Sequence, residues 1–406
     1  MKTFWFFNHY ASTPDQPSTS AFFVGRELVR RGNRVTFFAS AHNYYFQRRT
    51  KGRRWSLWSS ETVEGVTFVW ISTTPASARP VLRMVNMLSY AIVAFLAGLF
   101  RRERPDYVIG TCPHPFAGAT AWVISLLRGG RFIYEIRDIW PESLERYNSG
   151  LLWRTVIAFF GALQKFLYRR ARLITSVLPG IATYFRDIGV EVRAIAHLPN
   201  CIELSPAGTA AATDAAATDD GTGAFRFYYV GGFSRYQGLP VLIDAVGLLA
   251  KDPECPAFEF HLVGAGSEKE AVVDYARQHG SPNVHFHPPV PRQDVQSVLA
   301  RADCNIFHLL DIGEALRYGV SPNKLIEYLL SGKPMIFALP FEWPLLSQSA
   351  VGFEARCGDA ESLAGAMRRM LDADAETRQA MGANARAVCA QFDVRKVVDD
   401  FMGVLP

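Results

Sequence analysis

The stretch VSPNKLIEYLLSGKP, at residues 320–334, decides how this chain is interpreted. It follows an apolar run that is typical of a strand. Ser321 is a capping residue, and Pro322 suits the first turn of a helix. The pattern therefore predicts a helix over residues 324–330 that ends at Gly332. Because a helix N-terminus that follows a strand and a loop presents unpaired backbone N–H groups and a positive dipole end, the stretch predicts a phosphate-binding site.

Two side chains of this helix extend the prediction from a phosphate to a nucleotide. Lys324 lies in the first turn and adds a positive charge. Glu327 follows three residues later, so its carboxylate lies on the same face and can accept two hydrogen bonds from a diol such as a ribose. A solvated Glu–Lys pair on an ordinary capped helix explains the same spacing, because short motifs match by chance. The spacing alone leaves both interpretations open.

The length and composition indicate a globular protein with two domains. A chain of 406 residues exceeds what one hydrophobic core supports. The apolar and charged fractions, 49% and 20%, argue against long disorder. The six cysteines are spread singly, without a C-x-x-C pair or a histidine at metal-ligand spacing. This pattern predicts neither a zinc site nor a disulfide framework, and it fits a reducing cytosol.

Positive charge is concentrated in the first half of the chain. Residues 1–200 contain 26 Lys and Arg against 12 Asp and Glu, whereas residues 201–406 contain 17 against 26. We therefore expect the two halves to face different partners. Nucleic acid and an anionic membrane surface are the usual partners of a basic surface.

Three segments of the basic half are candidates for such contacts. Residues 42–61 interleave aromatic and basic side chains, which suits nucleic acid, a membrane interface or a solvated loop. Residues 84–100 carry no charge, but their length and the polar Asn86 and Ser89 favour a buried or interfacial helix over a membrane span. Residues 151–172 predict an interfacial amphipathic helix or, equally, a core helix with a basic outer face.

Strand-like and helix-like patterns alternate along the chain, which indicates an α/β fold of doubly wound parallel sheets. Residues 205–224 contain no large apolar side chain, so we expect a flexible insertion there. The sequence thus predicts an N-terminal domain over residues 1–200 and a C-terminal domain over residues 201–390. We expect a last helix, within residues 391–406, to cross back onto the first domain.

Glycine turns follow two strands of the second half. Gly231 and Gly232 follow one strand, and Gly264 and Gly266 follow the next. Paired glycines let the backbone approach a phosphate closely, although one such pair is not specific. Two glycine turns and one capped helix at successive strand ends of a single sheet together indicate a nucleotide site.

These motifs resemble the retaining glycosyltransferases of family 4, whose GT-B fold has two facing Rossmann-like domains. The resemblance spans nearly the full chain. It rests on five pieces: RPD at residues 104–106, RDIWPESL at 137–144, VGGFSRYQG at 230–238, VGAG at 263–266 and SPNKLIEYLLSGKP at 321–334. The second and fifth pieces are similar to the bacterial branch that builds O-antigen and capsule, including N-acetyl-fucosamine transferases.

The resemblance implies a nucleotide-sugar donor, usually a UDP-sugar, in the C-terminal domain and an acceptor, lipid-linked or saccharide, in the N-terminal domain. The donor is a substrate, so no cofactor is expected. The resemblance also implies a cytoplasmic protein that binds peripherally to the inner membrane, at an anionic surface, and that does not bind nucleic acid. The resemblance assigns donor binding to the positions held here by Gly231, Gly232, Gln237, Gly266, Ser321, Pro322, Asn323 and Glu327.

This chain departs from the family pattern at the donor diphosphate. Many members carry an arginine and a lysine where this chain has Gly232 and Gln237. We expect Arg235 and Lys324 to supply the missing positive charge. The first carboxylate of the family's paired glutamates falls at Gly319, so only Glu327 remains, and PSTS at residues 17–20 replaces a glycine-rich loop.

The catalytic residues expected from this resemblance are Asp138, His114, Arg235 and Lys324. No pair of carboxylates or covalent nucleophile stands out, so we expect front-face attack by the acceptor on the donor sugar. No Asp-x-Asp is placed to hold a metal, so cations of the chain would neutralise the diphosphate. For Asp138 a helix cap or a pair with Arg137 stays open, and for His114 a plain loop position stays open.

Two other functions fit parts of the sequence. A nucleotide-sugar 2-epimerase shares the two-domain fold and would release a free epimerised sugar. A nucleic-acid-binding protein would use the basic aromatic segment and bind with a strong salt dependence. The acidic second half and its glycine turns fit both alternatives less well than they fit a glycosyltransferase.

Overall fold

The computed structural model divides the chain into two compact units. The first comprises Met1–Glu203 and Val394–Pro406, and the second comprises Leu204–Asp393. The sequence placed the boundary at residue 200 and the returning helix within residues 391–406. The structure describes residues 1–14, 20–43, 48–53, 55–75, 79–140, 151–204, 223–279, 282–313 and 316–406.

Three sequence predictions fall wholly or mainly outside these ranges. The first is the loop at residues 17–19 that replaces a glycine-rich segment. The second is PESL, the part of the 137–144 motif from residue 141 on, and the third is the insertion at residues 205–222.

The first unit is built on a mostly parallel sheet. Its strands are β1 (Thr3–Phe7), β2 (Arg34–Ser40), β3 (His42–Asn43), β4 (Arg48–Arg49), β5 (Trp58–Val63), β6 (Val66–Ile71), β7 (Tyr107–Thr111), β8 (Arg131–Ile136), β9 (Leu173–Ser176) and β10 (Ile195–His197). The main sheet has the order β10-β9-β8-β7-β1-β2-β6-β5, with only β5 antiparallel to its neighbour. β3 and β4 form a separate ribbon. Every residue of β1 is buried, as expected for a strand covered on both faces.

Helices cover both faces of this sheet. They are α1 (Ser20–Arg30), α2 (Pro80–Leu99), α3 (Pro115–Arg128), α4 (Leu151–Arg170), α5 (Ile181–Asp187) and a last helix at Val394–Gly403, numbered α13 below. α1 and α13 pack on the face that bears Phe6 and Phe37. α2, α3 and α4 lie side by side on the opposite face, which bears Phe7 and Tyr134.

The second unit has a parallel sheet. Its strands are β11 (Phe225–Val230), β12 (Phe258–Val263), β13 (Val284–His287), β14 (Cys304–His308), β15 (Met335–Ala338) and β16 (Gly352–Glu354), in the order β13-β12-β11-β14-β15-β16. β12 and β13 lie on one side of β11, and β14, β15 and β16 follow on its other side. The space between β11 and β14 is therefore the topological switch point, where open α/β sheets bind ligands.

Helices also flank this second sheet. They are α6 (Leu239–Leu249), α7 (Lys269–Gln278), α8 (Val295–Leu299), α9 (Asn323–Ser331), α10 (Pro344–Ser347), α11 (Ala360–Asp372) and α12 (Ala375–Cys389). The carboxylates of Asp359 and Asp374 cap α11 and α12, accepting the N–H groups of Ser362 and Thr377 at 2.9 and 2.7 Å. The core fills the space between the sheet and α6 and α11.

The predicted fold class is confirmed, with one local difference. The hairpin of β5 and β6 was not predicted, because half of β5 is exposed at the edge of the sheet and lacks an apolar pattern. In place of a free loop, Trp58–Val63 is thus an edge strand.

Candidate active site

The candidate site lies at the switch point of the second unit. β11 supplies Tyr229, β14 supplies Phe307, and the first turn of α9 brings Lys324 against both rings. The Nζ atom of Lys324 lies 4.6 Å from the Tyr229 ring centroid and 4.9 Å from that of Phe307. Three chain segments far apart in the sequence therefore meet around one ammonium group.

In the described part of the chain, the groups that bind Lys324 are neutral. Its ammonium donates hydrogen bonds to the side-chain oxygen of Gln237 and to the hydroxyl of Tyr229, the latter at 3.3 Å. Within the described ranges no carboxylate pairs with it. Burial therefore lowers the pKa of Lys324 from 10.5 to about 7, because no negative charge offsets the lost hydration.

A buried hydrogen-bond network holds the backbone of Gln237, whose side-chain oxygen accepts from Lys324. His308 is fully buried, and its Nδ1 donates to the Gln237 backbone carbonyl at 2.7 Å while its Nε2 accepts from the Gly358 N–H at 3.3 Å. These partners require the neutral Nδ1–H tautomer, and burial lowers the pKa of His308 accordingly. The Tyr229 hydroxyl donates to the Gly232 carbonyl at 2.7 Å. The turn after β11 is thereby held rigid around the ammonium.

Tyr328 anchors α9 to the end of β11. Its hydroxyl accepts the N–H of Val230 at 2.7 Å and donates to the carbonyl of the same residue at 3.0 Å. Burial raises the pKa of this phenol well above its usual value. Because one hydroxyl engages both backbone groups of the last β11 residue, it fixes the rotation of α9 and turns Lys324 toward Tyr229.

The N-terminus of α9 is open. Pro322, rather than Ser321, occupies the N-cap position, and no side chain caps the helix. The predicted capping role of Ser321 is therefore wrong, and the helix starts at Asn323, one residue earlier than predicted. Its predicted end is confirmed, because Gly332 adopts φ 65° directly after the last turn.

Glu327 binds partners other than Lys324. One carboxylate oxygen accepts from Gln296 Nε2 at 2.6 Å, and the other lies 3.4 Å from the Arg292 guanidinium. The alternative of a solvated Glu–Lys pair is therefore wrong. Each carboxylate oxygen can accept more than one hydrogen bond, so Glu327 keeps capacity for a ligand hydroxyl.

The glycines of the two strand-end turns serve different purposes. A Cβ on Gly264 would lie 1.9 Å from the Gly231 carbonyl oxygen, and one on Gly266 would lie 2.1 Å from the Phe233 carbonyl oxygen. These two glycines let the turns after β11 and β12 pack backbone to backbone, joined by the Phe233 N–H to the Ala265 carbonyl at 2.9 Å. A Cβ on Gly232 would meet nothing within 4 Å. Gly232 thus borders open space, and the predicted donor contact of Gly266 stays a prediction.

Arg235 is exposed at the start of the 3-10 turn Arg235–Gln237, two residues from the buried Gln237. Its backbone carbonyl accepts from the Gly238 N–H at 3.2 Å, which closes the turn. No acidic group among the described residues pairs with its guanidinium. A second uncompensated cation therefore lies on the segment that holds Lys324.

His114 and Asp138 belong to the first unit. His114 is the N-cap of α3: its Nδ1 accepts the Ala117 N–H at 2.8 Å, and its ring is fully buried. Burial lowers its pKa to about 3. His114 is therefore a helix cap rather than a plain loop histidine, and its predicted catalytic role stays a prediction.

Asp138 follows β8 and is exposed. The alternative of a pair with Arg137 is wrong, because the Arg137 guanidinium donates to Glu135 at 3.0 Å and to Asn200. The role of Asp138 at the acceptor stays a prediction.

The residues that sequence reasoning missed are Tyr229, Arg292, Gln296, His308 and Tyr328. Arg292 and Gln296 bind Glu327 from the segment before β14, and Tyr229 and His308 contact Lys324 and Gln237 from β11 and β14. Tyr328 lies on α9 itself and binds Val230 of β11. A tyrosine in an apolar strand or helix is typical of a core position, so the polar roles of the two tyrosines did not stand out in the sequence.

Two doubly wound units, each on its own parallel-stranded sheet, are the architecture of the GT-B fold. The family described as Glycosyl transferase 4-like domain matches residues 21–201, and the family described as Glycosyl transferases group 1 matches residues 224–373. Each half of the chain is therefore similar to a glycosyltransferase domain.

Known proteins of similar sequence and structure agree with this class. WcaI of Escherichia coli (strain K12) is 24% identical over 316 residues, covering 75% of each chain. Its name assigns it provisionally to colanic acid biosynthesis as a glycosyl transferase. HepE (Alr3699) of Anabaena in complex with UDP has a TM-score of 0.66 at 16% identity and 99% coverage of both chains. Sucrose-phosphate synthase (tll1590) of Thermosynechococcus elongatus has a TM-score of 0.72 at 14% identity, covering 100% of this chain and 98% of its own. The likeness to the two solved structures shows the GT-B fold.

Proposed function

We propose that this protein is a retaining glycosyltransferase that moves a sugar from a UDP-sugar to a lipid-linked or saccharide acceptor in bacterial surface polysaccharide synthesis. Lys324 carries the proposal, because its ammonium is buried among neutral partners at the switch point. The diphosphate of a nucleotide-sugar supplies the missing counter-charge. HepE, determined with UDP and with UDP-glucose, supports the donor class, and the name of WcaI supports the pathway.

The donor diphosphate would bind between the first turn of α9 and the turn after β11. Lys324 and the N–H groups at the start of α9 face it from one side. Arg235 and the open space at Gly232 lie on the other turn. Glu327 would accept the two ribose hydroxyls, with Gln296 and Arg292 holding its carboxylate in place.

In the transfer step, the bond from the anomeric carbon to the diphosphate oxygen breaks, and the acceptor oxygen bonds to the same face of the sugar. The acceptor proton passes to the departing phosphate oxygen. Lys324 and Arg235 stabilise the charge that develops on the diphosphate. Asp138, an exposed carboxylate of the first unit, would bind an acceptor hydroxyl.

The donor class is tested with a panel of UDP-, GDP- and dTDP-sugars, measured by thermal stabilisation and by transfer to lipid-linked and free saccharide acceptors. We expect stabilisation by UDP-sugars. Lys324→Ala should lower turnover about 100-fold or more, because it removes charge that acts on the leaving group. Glu327→Ala should raise the donor KM about tenfold with turnover retained, since ribose binding is shared by ground and transition states. Lys251→Ala, at an exposed lysine of the same unit, is the matched control.

Each part of the proposal has an outcome that contradicts it. Unchanged kinetics in Lys324→Ala and Glu327→Ala would remove the site assignment. Retained donor binding with release of a free epimerised sugar, in the absence of acceptor, would make the protein an epimerase. Loss of transfer in EDTA, restored by a divalent cation, would contradict charge neutralisation by side chains alone.

A further inference from the structure

The layer formed by α2, α3 and α4 carries a concentration of exposed apolar side chains. Nine of the fifteen large hydrophobic side chains exposed in the described part of the chain lie on these helices or on Phe100, directly after α2. Single hydrophobic residues are ordinary on protein surfaces, whereas a contiguous apolar patch marks an interaction site. The outer side of this layer is therefore a candidate interface.

The patch is organised as a stripe along α2. Val81, Val85, Leu88 and Ile92 are spaced four, three and four residues apart, so they share one face of the helix, and their exposed fractions range from 46% to 66%. The opposite face of α2 is buried in the first unit, where the Tyr90 hydroxyl donates to the Phe38 carbonyl at 2.6 Å. The stripe is thus the surface that remains after α2 has packed on its own sheet.

α2 combines this stripe with the composition of a membrane helix. Val81–Leu99 is long and apolar enough to cross a bilayer, with a mean hydropathy of 1.7, but 39% of that window is buried inside the protein. Because its inner face packs on the sheet, α2 is suited to lie in the plane of a lipid interface with only its outer face in the apolar layer.

Positive charges follow the C-terminal end of the stripe. Arg102 and Arg104 are exposed just after α2, and no carboxylate in the described ranges pairs with them. The Arg128 guanidinium at the end of α3 donates to the carbonyls of Arg101 and Glu103, the latter at 3.1 Å. This contact joins the ends of α2 and α3, so the exposed Leu127 of α3 lies close to the same cations.

The outer face of α4 adds a second row of cations. Arg154, Lys165 and Arg169 are exposed, whereas Phe160 and Leu167 are buried. α4 thus packs in the core with a basic outer face, and contact of that face with a lipid interface stays a prediction. α4 is held in the layer by the edge-to-face contact of Trp122 with Phe166, whose centroids lie 4.8 Å apart.

We propose that this outer face of α2, α3 and α4 docks on an anionic lipid bilayer. Aliphatic side chains enter the interface while arginine and lysine meet the lipid phosphates, which is the arrangement of interfacial amphipathic helices. A second copy fits less well, because a two-fold contact through the stripe would bring like cations together. The stripe of Val81, Val85, Leu88 and Ile92 is also wholly aliphatic, whereas the anchors of protein interfaces are mostly aromatic or arginine. The inference is independent of the donor site, which lies in the second unit.

The test is flotation of the full-length protein with vesicles of pure phosphatidylcholine and with vesicles in which about one third of the lipid is phosphatidylglycerol. We expect binding to the anionic vesicles only, and release at high salt. Leu88→Glu with Ile92→Glu should lower binding at least tenfold. Arg102→Ala with Arg104→Ala should lower it about 30-fold, since each cation near the surface contributes about fivefold.

Leu248→Glu, at an exposed leucine of α6 in the second unit, is the matched control and should bind as the wild type does. Circular dichroism and thermal stabilisation by the UDP-sugar check that each variant is folded. Equal flotation of the stripe variant and the wild type would overturn the inference. So would the absence of vesicle binding together with a dimer, in sedimentation, that the stripe variant dissociates.

Discussion

The two switch points of this protein have the same local topology and opposite chemistry. In the first unit α3 follows β7, and in the second α9 follows β14, each with a proline at the start of the helix. The His114 side chain caps α3 and accepts the Ala117 N–H at 2.8 Å. α9 has no side-chain cap and carries Lys324 in its first turn. A closed, neutral helix end and an open, cationic one therefore stand in equivalent positions of two related units.

The neighbours of each helix end strengthen this contrast. His9, Tyr90 and His114 pack together with ring centroids 4.6 to 5.1 Å apart, and burial lowers the pKa of both histidines. Both imidazoles are therefore neutral at physiological pH. In the second unit burial lowers the pKa of Lys324 only to about 7, so its charge is still available to an anion. Under the proposed function, side-chain chemistry rather than topology would place the diphosphate in the second unit.

The largest expected effect is a loss of stability when the backbone packing between the turns after β11 and β12 is disturbed. Gly266→Ala should lower the free energy of unfolding by about 3 kcal/mol, because the new Cβ would lie on backbone atoms that cannot rotate away. Gly232→Ala is the matched control and should change stability little, since nothing lies within 4 Å of the added Cβ. Urea unfolding followed by circular dichroism measures both variants.

The same pair of variants separates scaffold from ligand contact. Gly232→Ala should weaken donor binding although stability is kept, because its methyl group would occupy space that the donor needs. Equal stability of the two variants would contradict the backbone packing of the β11 and β12 turns.

A smaller effect is expected at the closed helix end. His114→Ala should lower the free energy of unfolding by about 2 kcal/mol, through the lost cap and the lost packing of a buried ring. His114→Asn keeps a capping oxygen and should recover about half of that loss. Neither variant should change the donor Kd, because the proposed donor site lies in the second unit. Unfolding experiments and calorimetric titration with the UDP-sugar measure these values.

His114→Asn also probes the comparison itself. If this variant were stable and bound donor normally but no longer transferred sugar, the imidazole would act on the acceptor. The N-terminus of α3, capped by His114, would then be part of the acceptor site rather than a closed helix end.

Much of the second unit could be predicted because its signals are local. The helix that became α9, its end at Gly332 and the turn after β11 each follow from adjacent residue types. Lys324 could be identified for the same reason, since a cation in a first turn is visible in the sequence.

The partners of these residues could not be predicted, because a parallel sheet brings distant segments together. Glu327 pairs with Gln296 and Arg292, which precede it by 31 and 35 residues. Tyr328 meets Val230 across 98 residues. Ser321 was assigned as the cap because residue preference favours serine, but the backbone of Pro322 takes that position. For Gly264 and Gly266, the sequence could not show that the nearby group is another turn rather than a phosphate.

The smallest predicted effect is a pH dependence of donor affinity that arises at Lys324. Burial lowers the pKa of the free lysine to about 7, and a bound diphosphate should raise it again, because an anion favours the charged form. Above pH 7 binding must therefore take up a proton, and the donor Kd should rise by up to about tenfold per pH unit. Below pH 7 the lysine is already charged and adds no dependence. Titration calorimetry at pH 8 in two buffers of different ionisation enthalpy counts the proton directly.

Lys324→Met is the variant that isolates this lysine, because it keeps the length of the side chain and removes the titrating group. Its donor affinity should be weaker and nearly constant between pH 7 and 9. The unliganded variant should be more stable than the wild type at pH 7 by about 3 °C in Tm, because the wild type then buries a charge without a partner. That difference should shrink as the pH rises above 7, since the folded wild type sheds the proton that its unfolded chain keeps up to about pH 10.5. If the donor affinity of the wild type varied with pH as little as that of the variant, the diphosphate would bind away from α9. The contrast between the two helix ends would then have no bearing on donor binding.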